Sequence, residues 1–184
     1  DGHAIQTYIW EHPTPRGWVH INHGMAEHGA RYDWFAQQLV SEGWSVVAHD
    51  HRGHGPLNHE SLGHFADQDG WNKVLEDLST VRKAVCSDQL PFFLFAHSMG
   101  SFIAQSYLSR QQIPLDGLIL SGSNFQPSML SRAGLQVAKI EKLRVGYQQT
   151  SPLLQFLSFG AFNKRFKPVR TDFDWLSTDT AQVD

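Results

Sequence analysis

Short apolar runs alternate along this chain with stretches whose apolar side chains recur every three or four residues. The first kind predicts strands and the second helices. Residues 5–10, Ile-Gln-Thr-Tyr-Ile-Trp, are rich in β-favouring side chains, and Pro13 and Pro15 break the chain after them. Trp18 to Asn22 reads as a second strand. Arg31 to Gly43 carries Trp34, Phe35, Leu39 and Val40 near helical spacing, with Gly43 as a natural stop. Trp44 to Ala48 is short and apolar, as a buried parallel strand should be. Val74, Leu75, Leu78, Val81 and Val85 mark a helix over 71–85. Phe92 to Phe95 is a strand, Met99 to Arg110 a helix and Leu115 to Leu120 a strand. Strands alternating with helices predict an α/β fold with a doubly wound, mostly parallel sheet.

The pattern changes after Ser121. Eight basic side chains (Arg132, Lys139, Lys142, Arg144, Lys164, Arg165, Lys167 and Arg170) and one acidic residue, Glu141, fall within 127–170. Leu130, Ala133, Val137 and Ile140 form a helical stripe, and 152–162 is dense in Leu and Phe without strand alternation. The expected organisation is therefore a core over 1–126 and a helical insertion over 127–184, lying over the sheet.

Composition narrows the picture little. A length of 184 residues suits one domain with a real core. The net charge of −3 offers no global attraction to nucleic acid. The single cysteine, Cys86, excludes an internal disulfide framework and fits a reducing, cytoplasmic setting. No apolar run approaches the roughly 18 residues of a spanning helix. The chain starts at Asp1 and ends at Asp184 without start or stop signals, so both ends are expected to be trimmed.

Chemistry concentrates in three places. Phe92-Phe93-Leu94-Phe95-Ala96-His97-Ser98-Met99-Gly100-Ser101 ends an apolar strand at a serine between small residues and starts a helix at once. That is the layout of a nucleophile elbow, with Ala96 in place of the usual first glycine. The competing reading is an ordinary helix-capping serine. The second place is His23-Gly24-Met25-Ala26-Glu27-His28-Gly29-Ala30-Arg31-Tyr32, directly after a strand. A hydrolase needs backbone N–H groups aimed at a developing oxyanion, and such a loop supplies one while the residue after the nucleophile supplies the other. The candidates are Met25 and Met99. The third place is Asp50-His51-Arg52-Gly53-His54-Gly55, where Asp50 and Arg52 are expected to pair and hold the loop. His51, His54, His59 and His64 lack metal-ligand spacing and read as solvated or loop-packing side chains.

Together these motifs resemble the monoacylglycerol lipase and lysophospholipase branch of the α/β-hydrolases. Gly63-His64-Phe65-Ala66-Asp67 and the insertion look like its bacterial members. The resemblance implies an α/β-hydrolase fold with a helical cap, no cofactor, no metal, and esters of single acyl chains as substrates. It implies Ser98 as nucleophile, Met25 and Met99 as oxyanion donors, and Glu27 and Arg31 at the polar, head-group end of the pocket. In that branch the acid and histidine follow the cap, yet all eleven histidines here lie at or before His97. The expectation is a chain truncated before its last strands, without its triad acid and base and inactive alone. Asp172, Asp174 and Asp179 belong to the cap by the same comparison. The basic insertion suggests transient, peripheral contact with a membrane surface. A peptidase, an acyltransferase and a non-catalytic acyl-binding protein of the same fold remain as alternatives.

Overall fold

In the computed structural model, residues 1–110, 115–124, 128–146, 148–160, 162–171 and 174–179 are described. The chain divides into two compact units, Asp1–Phe125 and Gln126–Asp184.

The first unit is built on five strands: β1 (Thr7–Trp10), β2 (Trp18–Asn22), β3 (Ser45–His49), β4 (Phe92–His97) and β5 (Gly117–Ser121). Their order is β1-β3-β2-β4-β5. β1 runs antiparallel to β3, and every other pairing is parallel. Helices α1 (Asp33–Ser41), α2 (Gly70–Val85) and α3 (Met99–Arg110) connect them. The sheet is mostly parallel and flanked by helices, as the periodicity predicts. β1 begins at Thr7, later than expected. The segment expected as one helix from Arg31 splits into a 3-10 turn over Gly29–Tyr32 and α1. Gly29 leaves no room for a side chain there, because a Cβ would lie 2.8 Å from the Tyr8 ring.

Every residue of β2 and β3 is buried, as both faces of a covered parallel sheet require. One face packs Val19, Ile21, Val46 and Ala48 against Ala36 of α1, with Phe93 and Phe95 alongside. The other packs Leu94 and Ala96 against Val74, Leu75 and Leu78 of α2 and Ile103, Ala104 and Tyr107 of α3. That second face also carries two polar side chains with no solvent access, His20 of β2 and His49 of β3.

The second unit contains α4 (Ser128–Val145), α5 (Pro152–Phe159) and a 3-10 turn, Phe162–Arg165. α4 forms where the apolar spacing predicts a helix, and Val137 of its stripe is half-buried. Ala133 and Ile140 are exposed, whereas Glu141 is 3% exposed. Burial of Glu141 is compensated by hydrogen bonds. Arg144 Nε donates to Oε1 at 2.7 Å, Arg144 Nη2 to Oε2 at 2.9 Å, and Ser151 Oγ to Oε2 at 2.5 Å. These bonds hold the Glu141 carboxyl down at about 2. Ser151 also caps α5 by accepting from Leu154 N–H at 3.1 Å, just before Pro152.

Candidate active site

The strand β4 stops at His97, and α3 begins at Met99. Ser98 between them has φ +49°, a left-handed conformation that costs a side-chain-bearing residue about 1 kcal/mol. Two backbone bonds hold it there: Ser98 N–H donates to Ser121 O on β5, and Ser101 N–H donates to Ser98 O, both at 2.9 Å. Ser101 Oγ donates to Ser98 O as well, at 2.6 Å. The joint needs small neighbours. A Cβ on Gly100 would overlap Asn22 O and lie 2.7 Å from His23 O, so α3 rests on the backbone of β2. Ala96 is fully buried among Ile103, Ala104 and Leu94. Met99 opens α3, so its N–H has no carbonyl one turn back and sits at the positive end of the helix.

The loop after β2 comes directly against this serine. A Cβ on Gly24 would lie 3.2 Å from Ser98 Cβ and 3.3 Å from His97 Cδ2. Met25 follows, 45% exposed, and Ala26 turns the chain with φ +62°. The turn brings Glu27 back onto Gly24, whose N–H donates to Glu27 Oε1. Tyr32 Oη donates to the same oxygen at 2.9 Å, and Arg31 Nη1 lies 3.3 Å from Oε2. Glu27 is thus almost enclosed, at 9% side-chain exposure, while the Arg31 side chain is half exposed. Burial, reinforced by the Glu27 charge, pushes the Tyr32 phenol well above its ordinary range.

Behind the loop lies a ladder of five imidazoles. Ring centroids are 5.0 Å apart for His20–His49 and His49–His51, 4.2 Å for His23–His51, and 5.4 Å for His23–His54. His51 N–H donates to His23 Nε2 at 3.0 Å, so the proton of His23 sits on Nδ1 and is donated to Gly24 O at 2.7 Å. His51 Nε2–H donates to His23 O at 3.2 Å, and His54 Nδ1–H to Arg52 O at 3.0 Å. Burial holds His20 and His23 down at about 3, and pushes His49 and His51 far down and His54 down as well. These rings are neutral structural parts. Among the described residues, no three His, Cys, Asp or Glu side chains are grouped to hold a metal ion.

The pairing expected between Asp50 and Arg52 is not formed. Asp50 instead accepts from Gly29 N–H at 2.7 Å and from Tyr8 Oη at 3.1 Å, which ties the loop after β2 to β1. Arg52 donates to Asp77 of α2, Nε to Oδ2 at 2.7 Å and Nη2 to Oδ1 at 2.9 Å, and reaches Asp1 Oδ2 at 2.7 Å. Adjacency in sequence misled here because the two side chains leave the loop on different sides. His51 and His54 are buried and His59 is exposed, while His64 meets Asp67 Oδ1 at 3.0 Å.

In the second unit, Asp174 accepts from Arg170 N–H at 2.7 Å and Thr171 Oγ1 at 3.0 Å, and so closes a local turn. Asp172 lies outside the described residues. The sequence reading did not anticipate Tyr32 as a partner of Glu27, or His23 as a donor to Gly24. Its available signals were an aromatic hydroxyl five residues after a glutamate and a histidine next to a glycine, both too common to carry weight alone.

A strained serine at a strand–helix joint of a mostly parallel sheet, with a glycine loop against it, defines an α/β-hydrolase. Residues 13–184 match the family model described as "Serine aminopeptidase, S33", and the chain belongs to that family. It is 33% identical over 121 residues to monoglyceride lipase of Rattus norvegicus, covering 65% of this chain and 39% of that protein. It is 36% identical over 117 residues to monoacylglycerol lipase of Mycolicibacterium smegmatis, covering 62% and 40%. Among solved structures it resembles a thermostable carboxyl esterase from Bacillus coagulans in complex with glycerol. That match has a TM-score of 0.83 at 32% identity and covers 97% of this chain and 59% of that one. The chain spans about 40% of the length of these two curated relatives. No helix among the described residues is long and apolar enough to cross a membrane.

Proposed function

We propose that this chain carries the nucleophile and oxyanion-binding elements of a serine carboxylic-ester hydrolase acting on monoacylglycerols or lysophospholipids. The observation that carries the reading is Ser98 at φ +49° on the β4–α3 joint, with Gly24 packed against it. In this reading Ser98 Oγ attacks the ester carbonyl carbon as its proton passes to a base. The oxyanion is received by the N–H groups of Met25 and Met99. The carbon–oxygen bond to the head group then breaks, and the leaving alcohol takes that proton. Water cleaves the acyl-enzyme by the reverse sequence.

The base is, in this proposal, neither one of the five stacked histidines nor His97. Burial disfavours the imidazolium that a base must become at His20, His23, His49, His51 and His54, and His97 Nδ1 is engaged 3.1 Å from Ser121 Oγ. Arg31, half exposed beside Glu27, is the head-group contact. Residues 127–184 serve as a cap segment. Leu153, Phe156 and Leu157 are exposed there and suit an acyl chain, while Met129, Leu135 and Leu143 beside Arg132, Lys139 and Lys142 suit an anionic lipid surface.

The test uses the full-length protein. A fluorophosphonate should label it at Ser98, Ser98→Ala should abolish labelling, and Asn at both His28 and His97 should leave it intact. Hydrolysis should rise with acyl length, each CH₂ contributing about 0.8 kcal/mol until the pocket is filled. The family description favours a second reading, peptide hydrolysis, and faster cleavage of aminoacyl amides than of acyl esters would establish it.

A further inference from the structure

We infer that Glu27 and His23 are positioning residues that clamp both peptides of Gly24 and so aim the Met25 N–H. The inference rests on the hydrolase reading above and deepens it. A glycine at this point has more backbone freedom than any other residue. Nothing larger fits, since a Cβ would press on Ser98 and His97. Side chains therefore supply the missing rigidity. Glu27 Oε1 takes the Gly24 N–H, which fixes the peptide before it. His23 Nδ1–H donates to Gly24 O at 2.7 Å, which fixes the peptide after it.

That second peptide is a rigid plane shared by Gly24 O and the Met25 N–H, pointing in opposite directions. Holding the carbonyl sets the direction of the donor. Each clamp is itself braced. Tyr32 Oη donates to Glu27 Oε1 at 2.9 Å, and His51 N–H donates to His23 Nε2 at 3.0 Å. The turn at Ala26, φ +62°, is what folds Glu27 back over Gly24. Glu27 is thus 9% exposed with both oxygens engaged, so its contribution falls on every ester rather than on one head group.

The experiment compares Glu27→Gln, Glu27→Leu and Tyr32→Phe in the full-length protein. Two substrates share one acyl chain, a monoacylglycerol and a p-nitrophenyl ester with no glycerol. Glutamine keeps an acceptor for the Gly24 N–H, and leucine does not. Glu27→Leu should lower kcat about tenfold or more on both substrates with KM little changed, because a misaimed donor loses transition-state binding only. Glu27→Gln should stay within about threefold of wild type, and Tyr32→Phe, which removes one brace, should fall about two- to fivefold in kcat. A loss confined to KM for the monoacylglycerol would overturn the clamp in favour of head-group recognition. Equal damage by Gln and Leu would overturn it too. If Glu27→Leu does not fold, as judged by circular dichroism, the Gln and Phe variants decide. Ser98→Ala separates the two levels: turnover by that variant sinks the hydrolase reading, whereas its inactivity beside undiminished Glu27→Leu sinks the clamp alone.

Discussion

Acid should unfold this protein through its buried histidines. His20, His23, His49, His51 and His54 are all held below their ordinary value of 6.5, chiefly by burial. A group depressed in the folded state binds more protons once unfolded. Its stabilising contribution is complete above pH 6.5 and is lost as pH falls toward the folded value. For His20 and His23 that value is about 3. Between pH 7 and pH 5 each then costs about 2 kcal/mol, so the two together remove about 4 kcal/mol. His49 and His51 act in the same direction and window. Small domains are stable by about 5–15 kcal/mol in total, so the loss is large. Glu141, held at about 2, loses its contribution only below pH 4.5 and leaves the histidine window clear. Urea unfolding followed by tryptophan fluorescence at half-unit steps from pH 7.5 to 5 measures the slope. His20 Nε2 and His49 Nδ1 are 2.9 Å apart, so replacing both by leucine removes the buried polar pair together and should flatten the slope. A stability independent of pH over that range, or an unchanged slope in the double variant, would refute the reasoning.

Three further substitutions test the scaffold. Gly100→Ala should destabilise by about 3 kcal/mol in chemical denaturation, since its methyl group meets the backbone of Asn22 and His23 rather than a side chain that can yield. Ala96→Val should cost about 1–3 kcal/mol by overpacking Ile103 and Ala104, while Ala96→Gly should stay folded, and a fully stable valine variant would contradict that packing. Asp77→Asn should cost about 3 kcal/mol because it leaves the Arg52 guanidinium, 6% exposed, without its main counter-charge, and the thermal midpoint should fall accordingly.

The order of strands and helices was legible along the chain because hydrophobic period is a local property, repeated within each segment. The joint at Ser98 was legible for the same reason: a buried strand, a serine between small residues and a helix follow one another without interruption. The candidate loop at His23-Gly24 announced itself by glycines next to polar residues. Its internal bonding did not, because the Glu27 carboxylate reaches Gly24 only after the backbone reverses at Ala26. The misjudged Asp50–Arg52 pair failed because it was inferred from spacing while the partners were chosen elsewhere. Arg52 found Asp77, 25 positions away, and Glu141 found Ser151 beyond the end of its helix. The imidazole ladder is the clearest case. Its members come from β2, β3 and the loops that follow them, and only the parallel pairing of β2 with β3 stacks them. Sequence periodicity decides which face of an element is apolar. Which buried polar groups satisfy one another is decided by strand order and register, because a hydrogen bond depends on a distance that no spacing along the chain records.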